Sequence, residues 1–352
     1  MTDFQLEPLY DYPQRQNVIS LAAEHATAVD QDERNPFETL KELGAEGLLT
    51  LGREGSILPQ AAVVFDLATE CTATAFSLWA HRSTIAFFDA VGRELPEGLA
   101  TGELTASTAM APAFKDASGV GELQVHATHV EGGLELNGII SWASNLHEGG
   151  VIVLPVAVDD APAGETAKYI VTTRVGTEGL NIKHQKGLLA LDATESGFMK
   201  FENLFVPQSD ILSQDVPGFL AKITAPFLTL QSSFCLGLAG AALNSAADHA
   251  EVSQGVFIDE FERAAAEYRR LRQELTELAE SPATADRTRL LQMRLDVSHL
   301  ATDATKLELS VIGGRAYAVK SPSGRRLRES LFLPVQSPTE GHLRYELSRA
   351  KS

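Results

Sequence analysis

The sequence predicts an α+β architecture: an N-terminal helical domain, a middle antiparallel β domain and a C-terminal up-and-down four-helix bundle. A double change of period carries this. Apolar residues recur at helical spacing from about residue 14 to 100, then give way to short β-branched or alternating runs between about 104 and 212. The helical period returns from about 217. At 352 residues the chain is longer than one core usually accommodates, and the changes of period place three units at 1–103, 104–212 and 213–352.

In the first unit, breaks at Asn35-Pro36, at Gly52 to Pro59 and at Gly92 to Gly98 separate four or five helices. Asn35 reads as an N-cap and Pro36 as the first helical residue, with Phe37, Leu40, Leu43 and Leu48 on one face. That helix is expected to end near Gly44 or Gly47.

The strands of the second unit are read from VHATHVEGGLELNGIISWAS, GGVIVLPVAV, KYIVTTRV and SGFMKFENLFVP. Glu131-Gly132-Gly133 is a hairpin signal, Asp159 to Glu165 a polar connection, and Val206-Pro207 the expected end of the last strand. The third unit has helical runs at 219–250, 257–281 and 286–311, with a breaker at Glu280-Ser281-Pro282. Its first helix carries Gly237, Ala239, Gly240, Ala241, Ala242 and Ala246, the mark of a tightly packed or subunit-facing helix. Arg269-Arg270-Leu271-Arg272 reads as a solvated helix face.

Composition narrows the function classes. With 47 acidic and 29 basic residues the formal charge is -18, which repels phosphate backbones and argues against a nucleic-acid partner. Cys71 and Cys235 stand alone in apolar runs, which excludes a disulfide framework and fits a reducing, cytoplasmic setting. No secretory leader is read at the N-terminus, and no stretch is read as a membrane span. The nine histidines are scattered without ligand spacing, so no metal site is expected, and GxGxxG, Walker A, GxSxG, HExxH and CxxC motifs are all missing.

Four segments carry a more specific signal: Phe37 to Leu51 with Ala61 to Gly92, GIISWASN at 138–145, FENLFVPQSDIL at 201–212, and GGRAYAVKSPSGRRLRESLFLPVQSPT at 313–339. In this order the chain resembles the acyl-CoA dehydrogenase superfamily, over roughly residues 14 to 350. Trp142 and Ser144 match the family's G-x-K-x-[WF]-[IA]-[TS]-[NS] strand, with Ile140 where lysine is usual. The resemblance implies that Trp142 packs on an isoalloxazine ring and that the Ser144 hydroxyl is a fixed donor beside flavin N5. Alternation on a strand puts the two on one face. Gly313, Gly314, Tyr317, Pro322, Arg328 and Thr339 fall on the family's C-terminal marks. There the glycine pair implies backbone approach to the pyrophosphate of a neighbouring subunit's cofactor, and hence a homodimer or homotetramer.

The chain departs from the family at the chemistry. Ser337 stands where the resemblance places the glutamate that removes the substrate α-proton, and Pro338 follows in place of glycine. The other family position for the base, within Leu228 to Gly240, holds no acid. Glu340 and His81 remain as candidate catalytic groups. On the cofactor side, Met110-Ala111-Pro112 replaces a Thr-Glu-Pro loop, leaving Met110 and Pro112 as backbone and ring contacts. The pyrophosphate arginine falls at Ser253 and a glutamine at Ser310, whereas Lys320, Arg325 and Arg326 form a candidate basic patch for phosphate. The expected function is a flavin-dependent oxidoreductase, with FAD or FMN as cofactor, acting on a small molecule such as an acyl thioester without the usual glutamate. A flavin reductase or electron-transfer protein is the expected partner. The alternatives are a two-component flavin-dependent monooxygenase of the same fold and a non-catalytic homologue serving binding or assembly.

Overall fold

The computed structural model describes residues 4–53, 55–161, 167–249 and 255–350. Four helices come first: α1 (Arg15–Asp30), α2 (Pro36–Ala45), α3 (Leu58–Glu70) and α4 (Thr72–Ala90). The Asn35 side chain accepts from the Phe37 amide at 2.8 Å, capping α2 as its sequence predicts.

The sheet follows, from β1 (Ala106–Thr108), α5 (Ala111–Ala117), β2 (Val125–Val130), β3 (Gly133–Ala143), β4 (Val151–Val158) and β5 (Ala167–Arg174) to β6 (Leu180–His184), β7 (Gly197–Pro207) and β8 (Ile211–Ser213). Its strand order is β6-β7-β3-β2-β4-β5-β8, with β1 on β4. The hairpin at Glu131-Gly132 is present, with Val130 opposite Gly133 and Gly132 at φ +82°. The sheet is mixed: β1 and β2 both run parallel to β4, where antiparallel pairing throughout is expected from sequence. Alternation reports which face a residue takes, not the direction of the neighbouring strand. Val206-Pro207 closes β7, but β8 follows and pairs with β5. The Asp159 to Glu165 connection lies partly outside the described residues, and Ser253 wholly so.

The chain ends in α6 (Val216–Ala247), α7 (Ile258–Glu280), α8 (Arg287–Ile312), α9 (Pro322–Ser330) and α10 (Glu340–Ala350). Helices from both ends of the chain share one apolar core, while the sheet keeps a smaller one between Ala109 and Ile211. The axis of the large core is α6, which is long and apolar enough by composition to cross a membrane, contrary to the sequence expectation that no stretch is. Its most apolar window is 94% buried inside the fold. Its small residues serve that burial: a Cβ on Gly237 would meet the Phe65 carbonyl, and one on Gly240 the Tyr268 hydroxyl. The small-residue stripe is therefore packed within the chain, against α3 and α7, and its subunit-facing reading is corrected.

Candidate functional site

A cavity of about 500 Å³ opens where the sheet meets the helices. Its walls come from five places: Phe76, Trp79 and Ala80 of α4, Phe227 of α6, Trp142 to Ser144 at the end of β3, the turn from Leu188 to Ser196, and the stretch from Arg328 to Thr339. Thr108, Ala111 and Lys115 complete the rim. The size is that of an ordinary small-molecule pocket, and the lining is mostly apolar.

Trp142 owes its place to an irregularity. Ile140 pairs with Met199 and Ala143 with Gly197, so Ser141 and Trp142 stand opposite Phe198 alone. This bulge re-aims the strand at its end. The indole is 43% exposed, an aromatic face with part of its area uncovered beside the cavity.

Ser144 lies two residues on and is buried. Its Oγ is 2.6 Å from Ser196 Oγ, which is 3.0 Å from Thr194 Oγ1, and Thr194 donates to the Leu191 carbonyl at 2.8 Å. A hydroxyl has one proton to give. Because Thr194 gives its proton to a carbonyl, Ser196 donates to Thr194, and Ser144 donates to Ser196. In this arrangement Ser144 donates to Ser196 and keeps its lone pairs for a further donor.

The floor is fixed by buried polar groups. Trp79 Nε1 donates to the Phe227 carbonyl at 3.0 Å, tying α4 to α6, and Phe76 stacks on Trp79 with centroids 5.2 Å apart. Gln231 Nε2 donates to the Ser337 carbonyl at 2.9 Å, and Arg294 Nη2 donates to the Leu333 carbonyl at 2.9 Å and Gln336 Oε1 at 3.2 Å. These two side chains hold the 333–337 segment. Burial holds the Arg294 guanidinium below its ordinary value. Ser337 lines the cavity, and its Oγ is buried without a hydrogen-bond partner.

The remaining sequence candidates lie elsewhere. Glu340 begins α10 and is bound by His299 at 3.2 Å and Arg344 at 2.7 Å, which hold its carboxyl below the usual range. It is not on the cavity wall. His81 is buried in α4 with Nε2 2.8 Å from the Leu99 carbonyl, and desolvation lowers it to about 4. It too is off the wall, a core histidine kept neutral. Met110 is buried in the large core, and of its tripeptide only Ala111 reaches the cavity. Pro112 sits in the first turn of α5, off the wall. Gly313 and Gly314 close α8 away from the cavity, with nothing within 4 Å of a Cβ built on either.

The expected phosphate patch does not form. Arg326 is buried and donates from Nε to Glu308 at 3.0 Å, Arg325 is buried beside Glu329, and Lys320 donates to Gln31 at 2.8 Å. Arg328 reaches the cavity rim, but its guanidinium is engaged by Asp30 and by the Val319 carbonyl at 2.8 Å. The walls hold no carboxylate and no imidazole among the described residues. Sequence reading does not find Thr194, Ser196, Gln231, Gln336 or Arg294, since each is isolated in sequence and acquires its role through a distant partner.

No known family model matches the chain. Among curated proteins it is similar to mitochondrial isovaleryl-CoA dehydrogenase of Oryza sativa subsp. japonica, with 22% identity over 259 residues, or 68% of this chain. The chain spans 62% of that relative's length, less than two thirds. Among solved structures it is similar to butyryl-CoA dehydrogenase from Megasphaera elsdenii, with a TM-score of 0.80, 18% identity and 99% of each chain covered. It is also similar to the prolyl acyl carrier protein oxidase AnaB, with a TM-score of 0.84 and 16% identity over 96% of this chain and 97% of that one. These likenesses establish the fold.

Proposed function

Taking the acyl-CoA dehydrogenase fold as premise, we propose that this chain is a flavin-dependent oxidoreductase whose flavin ring packs on Trp142 and whose substrate occupies the rest of the cavity. The observation that carries this reading is the half-exposed indole beside Ser144 in an apolar pocket of ligand size. Trp142 would cover one face of the ring, Ser144 would meet its edge, and Phe76, Trp79 and Phe227 would exclude water from the substrate end. When bound, the flavin supplies two-electron transfer. FAD and FMN both suit the ring site; the cation side favours neither, because Arg325, Arg326 and Arg328 are spent on carboxylates within the chain.

A cavity without carboxylate or imidazole does not provide the base that α,β-dehydrogenation of an acyl thioester needs. Ser337 cannot replace it, because a hydroxyl without a hydrogen-bonded base nearby does not accept the proton at neutral pH. This favours substrates whose oxidation needs no α-proton abstraction, carried on CoA or on a carrier protein.

The direction of the Ser144–Ser196–Thr194 chain favours a second, more specific form of the same reading. A lone pair at the flavin edge suits an N–H there, which the reduced ring carries and the oxidised ring lacks. Our reading is then a two-component monooxygenase, receiving reduced flavin from a partner reductase. Anaerobic titration with oxidised and with reduced FMN and FAD tests it. Tighter binding of the reduced form is expected, reversing in Ser196→Ala, where Ser144 is released to donate. Equal affinity for both forms in both proteins would overturn the monooxygenase reading, and absence of flavin binding would overturn the oxidoreductase reading itself.

A further inference from the structure

A second cavity, of about 990 Å³, lies at the other end of α4. It is bounded by the Gly52–Ile57 loop, the last turns of α4, the first turns of α6, and the start of α8 with the turn before it. None of its residues lines the first cavity. The aromatic pair Phe114 and Phe227, with centroids 4.9 Å apart, stands between them, each ring lining one side.

The charges around this cavity do not balance. Arg53 is paired with Asp89 at 2.5 Å, and Arg287 with Glu346 at 2.5 Å. Lys222 Nζ donates to the Ala90 carbonyl at 3.0 Å. Arg82 is only 2% exposed, and its Nε and Nη1 have no hydrogen-bond partner. A buried guanidinium lacking acceptors is costly. Arg294, similarly buried, at least donates to two oxygens of the 333–337 segment, whereas Arg82 makes no side-chain hydrogen bond among the described residues and faces a cavity able to admit an anion. Among the described residues, the carboxylate that favours the charge on Arg82 is Asp89, and its oxygens are taken by Arg53.

We propose that this cavity binds a small organic carboxylate, its oxygens on Arg82 and its apolar body against Ile57, Leu220 and Leu290. The orphaned guanidinium fixes the charge class. Arg82 is a buried cation without an acceptor and suits a monoanion, while Lys222 is exposed and screened by solvent. A phosphate dianion would also face Asp89 and Glu346 across the same cavity. The lining fixes the body, since the remaining wall is largely alanine, proline and leucine. Arg82 carries no contact with the flavin cavity, so this site stands or falls separately from the proposed redox function.

Calorimetric titration with hexanoate, and in a parallel arm with orthophosphate, tests the proposal on the full chain. Saturable hexanoate binding is expected, weakened roughly tenfold or more in Arg82→Met, as loss of a charged hydrogen-bonding partner implies. It is expected to persist in Trp142→Ala, which alters only the other cavity. Arg82→Met should melt no lower than the unaltered protein, because it removes an unpaired buried charge. Should that variant fold poorly, Ala86→Trp, which fills the cavity while keeping the Arg82 guanidinium, should abolish binding. No saturable binding, unchanged affinity in Arg82→Met or in Ala86→Trp, or loss confined to Trp142→Ala would each overturn the site. Tighter, Arg82-dependent binding of orthophosphate than of hexanoate would overturn the carboxylate assignment.

Discussion

Replacing Trp142 by alanine removes the wall on which the flavin reading rests, and the cost follows from how much of the indole is uncovered. An aromatic side chain of this kind presents about 150–250 Å². With 43% of it exposed, roughly 65–110 Å² is left for a ligand to cover. At about 25 cal/mol per Å² that area is worth roughly 2 kcal/mol, to which ring-on-ring geometry adds about 0.5–1.5 kcal/mol. The flavin dissociation constant should therefore rise about a hundredfold in Trp142→Ala. Trp142→Phe, which keeps a ring, should recover most of that loss. Fluorescence quenching of FMN and FAD is the assay, with thermal melting of the flavin-free proteins as control. Equal flavin affinity in the unaltered protein and Trp142→Ala, with both folded, would refute the placement of the ring.

The other predictions concern acid lability, a buried ion pair and assembly. Burial holds His147 down to about 4 against an ordinary 6.5, so the folded chain refuses a proton that the unfolded chain takes. Stability should fall as pH drops from about 6.5 to 4, and His147→Gln should reduce that slope in pH-dependent melting, the remainder belonging to His81. Asp66 has the opposite sign: desolvation raises it to about 6, the folded state keeps a proton, and its contribution is lost as pH rises through the interval from about 4 to 6. Asp66→Asn should remove that component alone. Glu308 accepts from Arg326 and from Ser323 Oγ at 2.7 Å in a buried site, so Glu308→Gln should cost about 3–5 kcal/mol, read as a lower urea midpoint. Gly314 faces open space in the single chain, so Gly314→Trp should leave the fold's stability unchanged while reducing association and flavin retention together, as measured by sedimentation and absorbance.

Much of the architecture is legible because local chemistry and global packing agree. The Asn35 cap and the Gly132 turn each have one inexpensive solution, and the structure adopts it. What is not legible depends on partners far apart in sequence. The parallel pairing of β1 and β2 with β4 is decided by chain path, and three short strands carry too few residues to show a period: β1, β6 and β8. The length of α6 illustrates a subtler ambiguity. A helix apolar all round reads the same whether protein or lipid surrounds it, and only the packing of Gly237 and Gly240 against neighbouring helices decides for protein.

At the cavity the limit of sequence reading is directional. Trp142 and Ser144 are visible as a pair in the motif and both line the cavity, although Ser144 lies past the end of β3 and the bulge there, not strand alternation, brings them together. The role of a hydroxyl depends on where its proton goes. That is set by Ser196 and Thr194, more than 45 residues away. The same logic undoes the basic patch. Arg325 and Arg326 look available on a one-dimensional count, yet both are buried: Arg326 is paired with Glu308, and Arg325 donates to the Glu70 carbonyl beside Glu329. Arg82 is the reverse case: flanked by neutral residues in a helix, it looks like an ordinary core position, and its missing acceptor is apparent only when α4, α6 and the Gly52–Ile57 loop are assembled around it. A charge count along this chain therefore misassigns both sites, since the cations adjacent in sequence are neutralised and the isolated one is not. What decides ligand chemistry here is the balance of each buried charge with its spatial neighbours, which gives an apolar, base-free cavity at Trp142 and an unbalanced cation at Arg82.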